Sequence, residues 1–313
     1  MLMFKRWMLS TALLLAALPA LAQALRSQPQ QVAPGVYMVQ GVSALGSSAN
    51  RNFISNAAFV VTPEGVLVVD ALGSPVLARE ALAEIRRVTP APVRYVVLTH
   101  YHADHIYGLQ VFKEAGATIV AHHDAQWYLN SETAALRLQA SREEMAPAID
   151  QDTRLVPADR WIDKPLSLTL GGTDFVLQPV GPAHTPEDLV VWMPQRKLMF
   201  AGDLVFRGRV PFVGQADSGR WIQALDTLLA FDAELIIPGH GPATSSARAD
   251  LQLTRDYLAY LRKTMGEAAQ NMDPFEEAYA RTDWSRFDKL PLFNAANRMN
   301  AYNTYLLMEQ AAK

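Results

Sequence analysis

The 313-residue chain contains no cysteine. This absence excludes disulfide bonds, thiolate nucleophiles, iron–sulfur clusters and zinc sites built on cysteine. A site for a transition metal would have to use histidine and carboxylate side chains instead. Half of the residues are hydrophobic, which is enough for a buried core that holds the fold together without covalent cross-links.

The chain also lacks an excess of basic residues. Lysine and arginine number 28 against 31 aspartates and glutamates, so the formal net charge is −3. A general nucleic-acid binder needs a basic surface that neutralises phosphates, and this composition argues against one. We therefore expect a small molecule, and no nucleic acid, as the binding partner. The oligomeric state does not follow from the sequence.

The apolar run near the N-terminus is too short to span a bilayer comfortably. Two basic residues precede about a dozen apolar residues that end at Leu18, and small residues follow at Ala20 and Ala22. This pattern is typical of a secretory signal peptide, which we place at residues 1–22. It predicts a periplasmic or secreted protein with no stable membrane association after cleavage. An uncleaved membrane anchor is the alternative.

The order of apolar runs and turns predicts an α/β fold. Residues 57–70 have the pattern of a β-hairpin with the turn TPEG, residues 76–88 have helical periodicity, and residues 93–99 form a continuous apolar run typical of a buried strand. We expect a helix from 104 to 115 directly after this strand. Strand signals return between 166 and 202. This repeated order of strands and then helices predicts two sheets that face each other with helices outside.

Three segments lie outside this repeat. Residues 248–313 have a helical pattern, and we assign them to a C-terminal segment that packs near the active site of a domain at 23–247. Residues 42–56 form a loop rich in glycine, serine and asparagine, and such long loops are usually functional. Residues 122–150 are polar and helix-prone, which predicts a helical insert or lid.

Histidine is scarce, with seven in the chain, yet three of them fall within six residues of the stretch LTHYHADHIYG. These are His100, His102 and His105, and Asp104 lies among them. The remaining candidates, His184, Asp203 and His240, also lie at or just beyond the ends of apolar strands. Side chains at strand ends emerge at the rim of a sheet, so several of them can meet in one pocket.

The spacing of these residues fits a metal site. His100 and His102 are two residues apart, so in an extended stretch their side chains point the same way and can bind one ion, with His184 as a third ligand. Asp203 has two carboxylate oxygens and can bridge this ion to a second one.

Three further residues can bind that second ion. Asp104 and His105 begin the next helix, and His240 would complete the set. The candidate ligands are His100, His102, Asp104, His105, His184, Asp203 and His240. The other two histidines, His122 and His123, have no ligand position left to fill, and we interpret them as structural or surface residues.

The combination of HxHxDH, a distant histidine, an aspartate in a GD step and the motif PGHG resembles the signature of the metallo-β-lactamase-fold hydrolases. The resemblance covers about residues 35–245. It implies an αββα sandwich with a dinuclear site at its edge, holding two Zn²⁺ ions, with iron or manganese as possible replacements. By the same resemblance, Asp70 holds the metal loop by hydrogen bonds and Thr99 supports it.

Asp203 narrows the resemblance within this superfamily. Many zinc-dependent β-lactamases have cysteine at this position or lack an acidic residue there. A bridging aspartate is similar to the pattern of glyoxalase II, lactonases, phosphodiesterases and the secreted SoxH-like and quinoprotein-relay hydrolases. The stretches GDLVFRGRVPFVGQADSGRWIQALDTLL and NAYNTYLLME resemble the last of these groups.

The resemblance implies a hydrolase in which a metal-bound hydroxide attacks a carbonyl-type bond in a thioester, ester, lactone or β-lactam. Asp104 and Asp203 are the candidate catalytic residues, since either can orient the nucleophile and pass on a proton. We also consider Arg51, Arg207 and Arg209 as candidates for binding an anionic substrate, although most single arginines are surface residues.

Three alternatives remain open. Phosphodiester cleavage fits the same ligands, but the chain has no basic patch. Persulfide dioxygenases have a similar fold and use one Fe(II), which would make the protein an oxidoreductase. A non-catalytic accessory protein of a quinoprotein or sulfur-oxidation pathway is the third alternative, and the complete ligand set argues against it.

Overall fold

The computed structural model describes residues 28–311. The signal peptide expected at 1–22 lies outside these residues, so it stays a prediction. Within residues 28–311, no helix combines the length and the apolar character needed to cross a membrane.

The first sheet has seven strands that follow one another in chain order. The first four strands pair antiparallel, and the fourth to seventh pair parallel. The predicted hairpin at 57–70 is present as the third and fourth strands. The strands are β1 (Gln30–Ala33), β2 (Val36–Val39), β3 (Ala57–Thr62), β4 (Gly65–Val69), β5 (Val93–Val97), β6 (Thr118–His122) and β7 (Arg160–Ile162).

The second sheet has five strands in the order β12-β11-β10-β9-β8. Its strands pair antiparallel except for β11 and β12, which run parallel. This parallel pair brings the ends of two distant segments to the same edge of the sheet. The strands are β8 (Leu166–Leu170), β9 (Thr173–Pro179), β10 (Leu189–Met193), β11 (Leu198–Phe206) and β12 (Leu235–His240).

The two sheets pack face to face, and helices cover their outer faces. Leu67 and Val69 of β4 contact the core between the sheets, whereas Val66 and Val68 belong to the core under the helices. Alternate side chains of a strand point to opposite faces, so a strand with both faces buried reads as a continuous apolar run. The architecture is an αββα sandwich with a helical C-terminal extension, which confirms the predicted fold class.

Two helical layers enclose the sandwich. The helices before β7 lie near the first sheet or form the insert after β6. The helices after β11 pack over the second sheet and against each other. The helices are α1 (Pro75–Val88), α2 (Ala103–Ile106), α3 (Leu109–Glu114), α4 (Ala125–Leu129), α5 (Glu132–Glu144), α6 (Ser218–Leu229), α7 (Ala247–Gln270), α8 (Phe275–Arg281) and α9 (Phe293–Ala311).

The single helix expected at 104–115 is wrong, because the chain breaks it into α2 and α3. Gly108 lies between them and donates its N–H to the carbonyl oxygen of Leu72 at 3.2 Å. A Cβ atom at this position would lie 1.9 Å from the carbonyl oxygen of Ala71. The close approach of the loop after β4 therefore requires glycine here and interrupts the helix.

Candidate metal centre

The candidate ligands converge where the two sheets meet at one edge of the sandwich. The stretch after β5 places His100 and His102, and α2 follows directly with Asp104 and His105. From the second sheet, Asp203 lies in β11, His240 ends β12, and His184 lies in the loop between β9 and β10. All seven predicted residues therefore meet, in two groups of three or four donors.

The first group consists of three imidazoles and one carboxylate. Nδ1 of His102 lies 3.1 Å from Nε2 of His100 and 3.1 Å from Nε2 of His184. Oδ2 of Asp203 lies 3.7 Å from the same nitrogen of His100 and 3.4 Å from that of His184. Four donor atoms from three separate segments thus surround one point.

The second group shares Asp203 with the first. Oδ2 of Asp104 lies 3.6 Å from Nε2 of His105 and 3.4 Å from Nε2 of His240. Oδ1 of Asp203 is 3.2 Å from Nε2 of His105, and its Oδ2 is 3.3 Å from Nε2 of His240. The carboxylate of Asp203 is therefore placed between both groups, as a bridging ligand must be.

These spacings fit divalent metal ions. Bonds of about 2.0–2.1 Å in a tetrahedral zinc site place neighbouring donor atoms about 3.3 Å apart. Nδ1 of His105 lies 2.8 Å from Oδ2 of Asp70 and donates its hydrogen there, which leaves Nε2 with a lone pair. This Nε2 faces Oδ1 of Asp203, and both atoms are buried without a hydrogen-bond partner among the described residues. Two facing lone pairs at 3.2 Å are stabilised by a cation between them.

Asp70 and Thr99, the supporting residues that the resemblance implies, together connect the two groups by hydrogen bonds. Oδ1 of Asp70 accepts the backbone N–H of Thr99, and its Oδ2 accepts the Thr99 hydroxyl, both at 2.8 Å. The same hydroxyl oxygen lies 3.0 Å from Nδ1 of His100. One carboxylate thereby sets the tautomer of His105 directly and that of His100 through Thr99, so that Nε2 of each ring is free to bind a metal.

Ile54 and Asn56 support the site, although no motif in the sequence marks them. Nδ1 of His240 donates to the carbonyl oxygen of Ile54 at 2.7 Å. The amide of Asn56 donates to the carbonyl oxygens of Pro238 and Gly241, at 2.8 and 2.7 Å, and so holds the PGHG turn against the loop before β3. An isolated asparagine in a polar loop fits no motif, and only the fold reveals its contacts.

Glycines of the GD and PGHG motifs make room for the aspartate. A Cβ atom on Gly239 would lie 2.0 Å from Oδ1 of Asp203. Gly202 has a φ of +53°, and a Cβ atom there would lie 2.7 Å from Cβ of Thr99. The motif glycines are thus explained by close packing around Asp203 and Thr99.

Burial and neighbouring charges divide the imidazoles into two kinds. Burial lowers the pKa of His184 to about 3 and holds the pKa of His100 well below its ordinary value. Burial also lowers the pKa of His105 and His240, but the neighbouring carboxylates of Asp203 and Asp104 together outweigh it and raise the pKa of both. Those two imidazoles in turn hold the pKa of Asp203 low despite its burial. The second group therefore attracts a cation, either protons or a metal.

A cleft of about 600 Å³ opens over both groups. The loop at 42–56 contributes Leu45 and Ile54, and the helical insert contributes Tyr128 and Met145. Both segments singled out in the sequence therefore line the site. A neighbouring cleft of about 550 Å³ shares His102 and several other lining residues with the first.

The stretch LTHYHADHIYG also contains two tyrosines, and both are buried. Tyr107 is fully buried in the core under the helices. Tyr101 is buried as well, and its hydroxyl donates to the carbonyl oxygen of Val156 at 3.1 Å. His122 and His123 belong to neither donor group.

The family is decided by comparison with known proteins. The sequence model described as the metallo-β-lactamase superfamily matches residues 50–240, which is more than half of the chain and includes every candidate ligand. The chain belongs to the metallo-β-lactamase superfamily. This confirms the predicted superfamily, whereas the activity and the resemblance to particular subgroups stay predictions.

Individual members of the superfamily match over different lengths. A linear primary-alkylsulfatase from Pseudomonas sp. (strain ATCC 19151) is 26% identical over 238 residues, covering 64% of this chain and 45% of the relative. A metallo-β-lactamase type 2 from Bacillus sp. (strain 170) is 29% identical over 192 residues, covering 60% of this chain and 66% of the relative.

A solved structure extends the match in fold to the C-terminal helices. The stereoselective inverting sec-alkylsulfatase from Pseudomonas sp. superposes with a TM-score of 0.69 at 18% identity, over 90% of this chain and 50% of that chain. The chain thus spans about half the length of the alkylsulfatases it matches.

Proposed function

We propose that the protein is a periplasmic or secreted dinuclear zinc hydrolase that cleaves a thioester, ester, lactone or β-lactam. The observation that supports this best is the pair of donor groups with Asp203 between them, and with facing lone pairs in a buried site, in a member of the metallo-β-lactamase superfamily. The location rests on the sequence pattern of residues 1–22.

Each group would hold one ion. His100, His102 and His184 would bind the first, Asp104, His105 and His240 the second, and Asp203 both. Zinc bound there would lower the pKa of a coordinated water to about 7 and would polarise the oxygen of the substrate.

The two aspartates of the site have further roles in this proposal. Asp104 is the most exposed of the carboxylates in the cluster, with 15% of its side chain accessible against 4% for Asp203. It also lines the cleft, so it can accept a proton from the attacking water and return it to the leaving group. Asp203 is buried and holds the two groups together.

Sulfate-ester hydrolysis is a second candidate. It is favoured by the similarity to the linear primary-alkylsulfatase, which covers 64% of this chain. The same donor groups can polarise a sulfate oxygen as well as a carbonyl oxygen, so the choice between these substrates depends on the walls of the cleft.

The test combines metal analysis with a substrate panel. The protein is purified from the periplasm, its metals are quantified by mass spectrometry, and thioester, lactone, β-lactam, phosphodiester and alkyl sulfate substrates are assayed on the same sample. We expect two zinc ions per chain and turnover that is lost in Asp104→Ala but kept in His123→Ala. One iron per chain with oxygen uptake on persulfides would contradict the proposal, and so would a folded protein that binds no metal.

A further inference from the structure

The three arginines considered from the sequence differ in their partners. Arg51 forms an ion pair with Glu80 at 2.6 Å, and Arg207 forms one with Asp250 at 2.9 Å. Arg209 has no carboxylate of the described residues within ion-pair distance, although only 5% of its surface is exposed. The carboxylates of Asp203 and Asp104 attract the charge from beyond that distance, but a buried guanidinium that is not hydrogen-bonded to a counter-ion is costly, so its presence requires an explanation.

The neighbours of Arg209 do not satisfy its Nε and Nη1 donors. Its Nε is buried with no hydrogen-bond partner among the described residues. Its Nη1 lies 3.4 Å from Nδ1 of His240, but this nitrogen already donates to the carbonyl oxygen of Ile54. Since a guanidinium has donors only, this approach sets two donors against each other. The ring of Phe206, 5.4 Å away, offers a cation–π contact to the charge but no acceptor for the N–H groups.

The position of Arg209 makes an anionic ligand the natural partner. It lines the cleft over the donor groups together with Asp104, Asp203 and His240. Apolar side chains, among them Phe206 and Phe212, form the adjacent wall. Carboxylate and sulfonate or sulfate groups accept the paired N–H groups of a guanidinium, and an apolar chain fits the wall beside it.

We propose that Arg209 selects substrates with a terminal anionic oxygen group, a carboxylate or a sulfate, on an apolar chain, and so determines the specificity of this site. This inference deepens the proposed hydrolase function and rests on it. Arg209 acts on the substrate and not on the metal, so its replacement changes substrate choice and leaves the metal content unchanged.

A matched pair of esters tests the proposal on the zinc-loaded protein. Mono-(4-nitrophenyl) adipate has the chain length of 4-nitrophenyl hexanoate but ends in a carboxylate in place of a methyl group. We expect Arg209→Gln to lower kcat/KM for the adipate ester about 10- to 100-fold, mainly through KM, because a charge-assisted hydrogen bond to substrate is lost. The hexanoate ester should change less than about twofold, and Arg209→Lys should recover part of the preference.

The control is Arg207→Gln, which removes an equal charge two residues away. Its side chain pairs with Asp250, so the ratio between the two esters should stay at the wild-type value. An equal loss on both esters in Arg209→Gln would show a purely structural role and overturn the proposal. A thermal melt of each variant identifies misfolding, and in that case the Arg209→Lys ratio decides.

Calorimetry separates this proposal from the proposed function. Hexanoate, 1-hexanesulfonate and 1-hexanol are titrated into zinc-loaded wild type, Arg209→Gln and Arg207→Gln, which needs no turnover. We expect at least one of the two anions to bind more tightly than the alcohol, with a loss of about tenfold or more only in Arg209→Gln. The anion that binds best tells carboxylate from sulfate recognition. Equal anion binding by wild type and Arg209→Gln would refute the role of Arg209 even if ester hydrolysis is observed.

Discussion

Asp70 is the residue through which both donor groups are linked. It adopts a left-handed backbone conformation with φ of +60°, which aspartate tolerates better than most residues. This conformation lets its two oxygens accept bonds from Thr99 and His105 at once. A single buried carboxylate therefore orients one imidazole of each group.

Asp70→Asn tests this link. The amide keeps the size of the side chain, but its NH₂ group faces Nδ1–H of His105 and cannot accept it. The preferred tautomer of His105 then changes, and we expect zinc affinity to fall about 10- to 100-fold while the fold is retained. Competition with a chelating dye measures the affinity. The control Asp174→Asn alters a surface carboxylate that accepts from Thr169, and an equal affinity in Asp70→Asn and this control would refute the role of Asp70.

The site was largely predictable at the level of residue identity. His100, His102, Asp104 and His105 lie in one motif after one apolar run. His184, Asp203 and His240 were predicted as further ligands from metal-ligand spacing and from the family resemblance. The supporting bonds of Asn56 could not be predicted, because they join segments more than 180 residues apart. The sequence also does not distinguish Arg207 from Arg209 as candidates for substrate binding. Only the structure of residues 28–311 shows that Arg207 forms an ion pair and Arg209 does not.

Helix α9 illustrates how an appended element acts on the site. Its Asn300 is fully buried and accepts the backbone N–H of Val213 at 2.9 Å. The amide of Asn300 donates to the carbonyl oxygen of Pro211 at 2.7 Å and to the hydroxyl of Tyr257 at 2.9 Å. The motif NAYNTYLLME thus fixes the loop after β11, which contains Phe212 of the cleft wall.

Asn300→Ala should destabilise the protein and loosen this loop. Buried partners in the loop and in α7 lose their hydrogen bonds, and each such loss costs about 1–3 kcal/mol. We expect the free energy of unfolding to fall by about 2–4 kcal/mol, measured by urea denaturation. Asn294→Ala, at an exposed position of the same helix, should change it by less than about 0.5 kcal/mol. A change that small in Asn300→Ala as well would mean that α9 does not support the loop.

Buried elements with strong periodicity were predicted, whereas the short edge strands of the first sheet were not. The buried strands and the helices α1 and α7 have continuous apolar runs or clear helical periodicity, since their burial sets the pattern. The edge strands β1 and β7 have four and three residues and no distinct apolar pattern. Their pairing depends on a neighbouring strand, which local sequence does not reveal.

On the scale of the whole molecule, the metal centre lies across the junction of the two sheets. His100, His102 and His105 follow a strand of the first sheet, whereas Asp203 and His240 belong to the second. Metal ions bound to both sets would therefore cross-link the sandwich at this edge. Without a cation, the same residues bring carboxylates and lone pairs together in a buried space, which opposes folding.

Removal of zinc should accordingly lower the melting temperature of the whole domain. Ligand present at about 100 times its dissociation constant stabilises a protein by about 2.7 kcal/mol. For a domain of this size, each kcal/mol corresponds to about 1.5–2 °C in Tm, so two such ions correspond to about 8–11 °C. We expect chelator-treated protein to melt that much lower and to recover fully only after two equivalents of zinc, as followed by scanning calorimetry.

His123→Ala, in which an exposed histidine is lost, should behave like wild type, whereas Asp203→Asn should show little response to zinc because the shared ligand is weakened. If the melting temperature is the same with and without zinc, metal binding does not stabilise the sandwich and the prediction is wrong. If one equivalent of zinc restores the melting temperature fully, a single ion joins the two sheets and the dinuclear site is contradicted.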